Sequence, residues 1–185
     1  RWGRHKPTLA GRCRAATAIV GSFTQYLTRV QGMPEATLDT FEKIIDDFVF
    51  DKGGAKKANA VAIATLKAPL EEGGFKLIDL RSRNEAIALM MLQRYQSPTD
   101  KRPIWVAIAE PLLASAAVSR FQNVTHSLLS NPFTQSWRVF LQSKSLPTNL
   151  KTMLSVAAKY NAQCVPITIT PELRDAMPFW YHIGR

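Results

Sequence analysis

Residues 9–30 carry apolar or small side chains at Leu9, Cys13, Ala16, Val20, Phe23, Leu27 and Val30, in steps of four, three, four, three, four and three. An α-helix brings residues so spaced onto one line, so the segment predicts an amphipathic helix with this stripe facing a core. Arg12, Arg14 and Arg29 fall off the stripe and face solvent. Thr8 stands in the N-cap position. Gly32 ends the helix, and Met33-Pro34 opens the next with Pro at a first-turn position. In PEATLDTFEKIIDDFVF, Leu38, Phe41, Ile45, Phe48 and Val49 share a face, and most of the acids lie opposite. Acids in the first turn suit the helix dipole. The two segments together predict a helical hairpin with a short turn.

The rest of the chain reads as helical but less regular. DKGGAKKANA is a polar, basic loop or linker. VAIATLKAP is compatible with a short helix or a strand. Pro69 and Gly73-Gly74 force a turn, the glycines supplying positive φ. FKLIDL reads as a short strand or an extended segment. Ser82 and Glu85 stand at capping-box spacing before AIALMMLQRY, a helix apolar nearly all round and so expected in the core. After a loop at 97–103, IWVAIAEPLLASAAVSRF predicts a helix that kinks or breaks at Pro111. Asn131-Pro132 predicts a cap and first turn for a helix over FTQSWRVFLQ. A further helix is expected over TNLKTMLSVAAKYN, then a β-branched extended piece and a short helix from Pro171. The expected fold class is mainly α: a helical hairpin over residues 1–52, then an irregular helical domain over 53–185 with a short extended or β element. RWGRHKPTLAGR has neither an initiator Met nor a signal-type apolar core, and FWYHIGR keeps its aromatics to the end. Both termini predict a fragment of a longer protein.

Charge narrows the function classes. The 185 residues hold 24 Lys and Arg against 14 Asp and Glu, a net charge of +10. Arg1, Arg4, Lys6, Arg12, Arg14 and Arg29 occur in the first thirty residues, which contain no acid. Residues 31–51 reverse this with Glu35, Asp39, Glu42, Asp46, Asp47 and Asp51 against Lys43. A basic balance favours polyanionic partners through counterion release. No apolar run reaches the roughly 18–20 residues that span a bilayer, so no membrane partner is expected. Cys13 and Cys164 are too few and too far apart for a disulfide framework, which fits a reducing compartment. His5, His126 and His182 are scattered, so no metal ligand set is expected.

Two motifs invite chemistry that their context argues against. Asp46-Asp47 resembles the aspartate pair that holds two divalent metals in nucleotidyl transfer. Adjacent residues on a helix point about 100° apart, so this pair reads as a solvated face. Gly73-Gly74 lacks the flanking Gly, Lys and Ser or Thr of a phosphate loop and reads as a turn. No nucleophile elbow of the G-x-S-x-G type is present. Of the four tryptophans, Trp105, Trp137 and Trp180 occupy apolar positions and read as core, whereas Trp2 lies in a basic, irregular stretch.

In order, Leu9-Ala10-Gly11-Arg12, Tyr26, Met33-Pro34, Phe48 with Phe50, Pro69 to Asp79, Asn84 with Ala86, and Pro103 with Trp105 resemble the region just downstream of the polymerase palm in non-LTR (LINE-type) retrotransposon reverse transcriptases. The resemblance is good over roughly residues 1–110 and loose beyond. It implies that the hairpin is the thumb, and that the later helices form a connector. The thumb would grip an RNA/DNA template–primer through phosphates and duplex shape. Arg4, Lys6, Arg12, Arg14, Lys76, Arg81 and Arg83 are the basic residues expected to contact nucleic acid. The aromatic-Ala-Asp-Asp hairpin of the palm is absent, and Asp46-Asp47 does not inherit its role. The implied activity of the fragment is therefore non-sequence-specific binding of RNA and DNA beside an upstream palm of the same polyprotein. No catalytic residue or cofactor of its own is implied, and the location would be intracellular and nuclear. Two other readings stand beside it: a helical structural or protein-interaction domain, and the inert remnant of a decayed retroelement.

Overall fold

The computed structural model describes residues 7–52, 61–121 and 123–162 together with positions 171, 175, 179 and 180. The fold is mainly α. Among the described residues six α-helices occur: α1 Leu9–Gln31, α2 Glu35–Val49, α3 Ile63–Lys67, α4 Leu80–Tyr95, α5 Trp105–Ser115 and α6 Thr148–Lys159. An isolated antiparallel bridge joins Ala117 and Val139, and no β-strand occurs among the described residues. The chain packs as two compact units that divide within α4, Arg1–Ile87 and Ala88–Arg185.

In the first unit α1 and α2 form the expected hairpin. Thr8 caps α1, its hydroxyl accepting from the Gly11 amide at 3.2 Å. Gly32 closes it at φ 76°, its amide donating to the Thr28 carbonyl. Pro34 sits one position before α2, at the N-cap. The core gathers Cys13 and Ala16 from α1, Leu38, Ile45 and Val49 from α2, Leu66 from α3, then Leu77 and Leu80. Each fully buried leucine contributes about 1.5–3 kcal/mol.

VAIATLKAP forms the short helix α3, and FKLIDL is not a strand: Phe75 to Asp79 are irregular, with Lys76 in the left-handed region at φ 51°, and Leu80 opens α4. The amides of Phe75 and Leu77 both donate to the Leu66 carbonyl, at 3.1 and 2.9 Å, and Lys76 donates to Ala68 at 3.1 Å. The segment thus pairs with the end of α3 rather than with a neighbouring strand. The two glycines before it do different work. Gly73 adopts φ 77°, the left-handed conformation a Cβ disfavours. At Gly74 an added Cβ would lie 2.0 Å from the Ala68 carbonyl oxygen, so that position is a close backbone approach.

Four local expectations are corrected. The α1 stripe packs inward only at its start: Leu9, Cys13, Ala16 and Val20 join the core, while Phe23, Leu27 and Val30 are exposed and Thr24 and Thr28 are buried instead. A strict seven-residue repeat drifts about 20° per heptad on a straight α-helix, which turns the end of such a stripe off the partner face. Threonine takes the inward place because its hydroxyl satisfies itself on the preceding turn, Thr24 on Val20 at 2.6 Å and Thr28 on Thr24 at 2.8 Å. Secondly, α4 starts before Ser82. Asp79 is its cap, accepting from the Arg81 amide at 3.2 Å and from the Ser82 hydroxyl at 3.1 Å. Thirdly, of the kink or break expected at Pro111, the break does not occur, since α5 continues across it. Fourthly, FTQSWRVFLQ is not helical but a run of turns and bridges.

The second unit explains that last departure. Its core includes Leu92 and Tyr95 of α4, Leu113 of α5, Met153 of α6, Phe133 and Trp137. Gln135 lies buried at the centre of the turn region. Its Oε1 accepts from the amides of Ser130 and Asn131 at 2.8 and 3.0 Å and from the Trp137 indole at 2.7 Å. Its Nε2 donates to the carbonyls of Leu128 and Trp180 at 2.8 and 2.7 Å. One amide therefore satisfies backbone groups of the flanking residues, while the backbones of Arg138 and Phe140 pair with Val118 and Ala116 instead of within a helix. Trp137 is buried and Trp105 packs partly buried on the core, as expected, whereas the Trp180 side chain is exposed.

Candidate nucleic-acid interface

Helix α1 carries no acid along its 23 residues. Arg14 and Arg29 are both exposed on it. Fifteen positions apart on an ideal helix, they stand about 22 Å apart along the axis and about 60° apart around it. Lys76 is exposed, with its ammonium 4.0 Å from Glu71, and its backbone lies beside α1. Thr17 makes that junction: its hydroxyl accepts from the Ile78 amide at 3.0 Å and lies 3.5 Å from the Lys76 carbonyl. Thr17 follows Arg14 by one helical turn, so Arg14 and Lys76 share one neighbourhood.

Arg12, Arg81 and Arg83 are engaged within the fold. The half-buried Arg12 lies 3.6 Å from Asp51. Arg81 reaches across to α2, pairing with Glu35, with Asp39 at 2.7 Å and with Glu42 at 3.4 Å. The hydrogen bond to Glu35 and the three carboxylates raise its pKa above the usual guanidinium value, against desolvation. Arg83 points the other way, to α1. Its Nη1 donates to the Thr24 hydroxyl at 2.7 Å and to the Gly21 carbonyl at 3.2 Å. Its Nε and Nη2 donate to Asn84 Oδ1 at 3.3 and 2.9 Å. Burial pulls its pKa down. Arg4 and Lys6 lie outside the described residues. The expected site residues thus separate by their partners: Arg14 and Lys76 face solvent, joined by Arg29, while Arg81, itself exposed, and the half-buried Arg83 hold the start of α4 onto the hairpin.

The same clasp joins motifs that are far apart in sequence. Asn84 donates its side-chain amide to the Met33 sulfur at 3.4 Å. Lys67 bridges Asp79 at 3.1 Å and Glu42 at 3.9 Å. Burial alone would raise the Asp79 pKa, but the hydrogen bond and charge of Lys67 and the bonds from Ser82 outweigh it, and its net shift is downward.

A cleft of about 410 Å³ beside α2 is lined by Asp39, Glu42, Asp46 and Lys67 among others. Its carboxylates meet Arg81, Lys67 and Lys52. Asp46 is the partner of Lys52, and Asp47 is exposed on the next position of the helix. Among the described residues no three His, Cys, Asp or Glu side chains converge as a metal site. No helix among them is long and apolar enough to cross a membrane. In comparisons with known proteins, no family model, no curated protein and no solved structure matches the chain.

Proposed function

We propose that the chain is the thumb and connector part of an RNA-directed DNA polymerase of the non-LTR retroelement type, and that its helical hairpin binds RNA/DNA template–primer by phosphate contacts without reading sequence. The observation that carries this reading is the acid-free helix α1 with Arg14 and Arg29 on its solvent side and Lys76 beside its first half. Cations spaced along a rigid helix match a line of phosphates and release counterions on contact. The clasp lends support: the residues of the motif series, Met33, Asp79 and Asn84, meet within one unit rather than scattering over the surface. In this reading the polymerase chemistry belongs to an upstream palm, the partners are RNA and DNA, and the protein works inside the cell, in the nucleus.

The test is a salt titration of binding to a hybrid duplex. The logarithm of affinity should fall with the logarithm of salt, with a slope of about 0.7–0.9 per phosphate contact. The double variant Arg14→Ala/Arg29→Ala should flatten that slope by about two contacts' worth across unrelated sequences. Absence of salt-dependent binding at low ionic strength overturns the reading.

A further inference from the structure

Beside its basic side, α1 exposes a second surface that phosphate contact leaves unused. Ile19, Phe23, Tyr26 and Leu27 are exposed, Phe23 at 70% and Tyr26 at 72%. On an ideal helix these four fall within an arc of about 100°, adjacent to the arc that holds Arg14 and Arg29. Their spacing, i, i+4, i+7, i+8, is that of an apolar helix seam. Large apolar side chains gathered at one place on a surface mark an interaction site, whereas scattered ones do not.

We propose that this arc docks a protein partner: an amphipathic helix with Glu and Asp along one border of its apolar stripe. The charge pattern selects that occupant. Both exposed arginines lie on one side of the arc, Arg29 about 60° and Arg14 about 120° around the axis from Tyr26, and α1 has no acid from end to end. A second copy laid α1 on α1 would set these arginines against each other with no carboxylate to offset them. A helix carrying acids along the border that faces Arg29 pairs with it while its stripe covers Phe23 and Tyr26. Nucleic acid fits the arc less well, because aliphatic Ile19 and Leu27 offer phosphates and sugars nothing, and the arginines lie to one side. The apolar arc itself is separate from the arginines, but Arg29 would serve both a phosphate and an acidic border, so the two partners would compete for it.

The probe is a synthetic amphipathic peptide of about 20 residues, long enough to hold a helix, with Leu at the seam positions and Glu along one border. Its control carries Lys in place of Glu. Fluorescence anisotropy with the full chain should show saturable binding of the Glu peptide and little of the Lys peptide. Phe23→Gln/Tyr26→Gln should weaken it by about tenfold or more, as loss of central aromatic anchors does, with the circular dichroism unchanged. Tyr26→Glu, which sets an acid in the arc, should weaken it also. No binding of the Glu peptide, equal binding of both peptides, or binding indifferent to these variants overturns the proposal. So does self-association that Phe23→Gln/Tyr26→Gln abolishes, which would give the face to a second copy. Loss of hybrid binding in these variants with peptide binding intact would give it to nucleic acid and overturn the proposal equally.

Discussion

Arg83 donates to the hydroxyl of Thr24 at 2.7 Å, across 59 positions of sequence, and so ties the start of α4 to the middle of α1. Four of its contacts, to Gly21, Thr24 and twice to Asn84, hold a half-buried guanidinium in place. Arg83→Ala should destabilise the hairpin unit by about 2–3 kcal/mol, the scale of a charged hydrogen-bonded group removed from partly buried acceptors. Urea denaturation followed by far-ultraviolet circular dichroism measures it. Arg83→Lys should recover only part, since an ammonium lacks the planar fork.

The glycine pair should respond unequally. Gly74→Ala forces a Cβ against the Ala68 carbonyl and should cost about 3 kcal/mol or more, because backbone cannot swing away as a side chain can. Gly73→Ala meets open space and pays for its left-handed φ alone, about 1–2 kcal/mol. Equal midpoints for the two variants in thermal melts would contradict this assignment.

Asp79 gives the hairpin unit an acid-sensitive element. Its folded pKa lies below the ordinary 3.8, so the stability it contributes is complete above that value and is lost as pH falls through the folded pKa. Asp79→Asn should cost about 0.5–1 kcal/mol at pH 7, through the ion pair with Lys67, because Asn still caps. It should also flatten the stability curve on the acid side of pH 4. Denaturation midpoints taken from pH 7 down to pH 3 check both.

Gln135 is the point on which the second unit turns. Gln135→Ala leaves the Ser130 and Asn131 amides, the Trp137 indole and the Leu128 carbonyl without their partner. The expected loss is about 3–5 kcal/mol. Gln135→Glu keeps the acceptor but surrenders both donations, and should fall between. Near-ultraviolet circular dichroism of the buried Trp137 during urea titration reports the change.

Much of the fold was legible in the chain because local rules and packing agreed. Thr8, Gly32 and the apolar face of α2 marked a hairpin, and the structure has it with those ends. The site was legible only as a list of cations. Nothing in RSRN distinguishes an arginine facing solvent from one bent onto α1, because the choice rests on whether acceptors such as Gly21 and Thr24 come within reach. Arg29 was visible off the stripe, yet its standing beside Arg14 depends on both staying exposed. The helix expected over FTQSWRVFLQ failed for a related reason: its apolar spacing was sound, but the backbones of Arg138 and Phe140 find partners in Val118 and Ala116, and Gln135 is held by the backbone of Leu128, Ser130 and Asn131.

Residues taken alone determined helicity, the short turn at Gly32-Met33-Pro34, and a basic α1 followed by an acidic α2, since periodicity, capping and charge act over one or two turns. Tertiary structure decided the rest. It turned Thr24 and Thr28 inward and left Phe23 and Tyr26 outside, because a hydroxyl that bonds its own helix can be buried while a drifting apolar stripe loses its partner. It also gave the exposed Arg81 and the half-buried Arg83 partners within the fold and left Arg14 and Arg29 facing water, because only packing brings carboxylates and carbonyls tens of residues away within a guanidinium's reach.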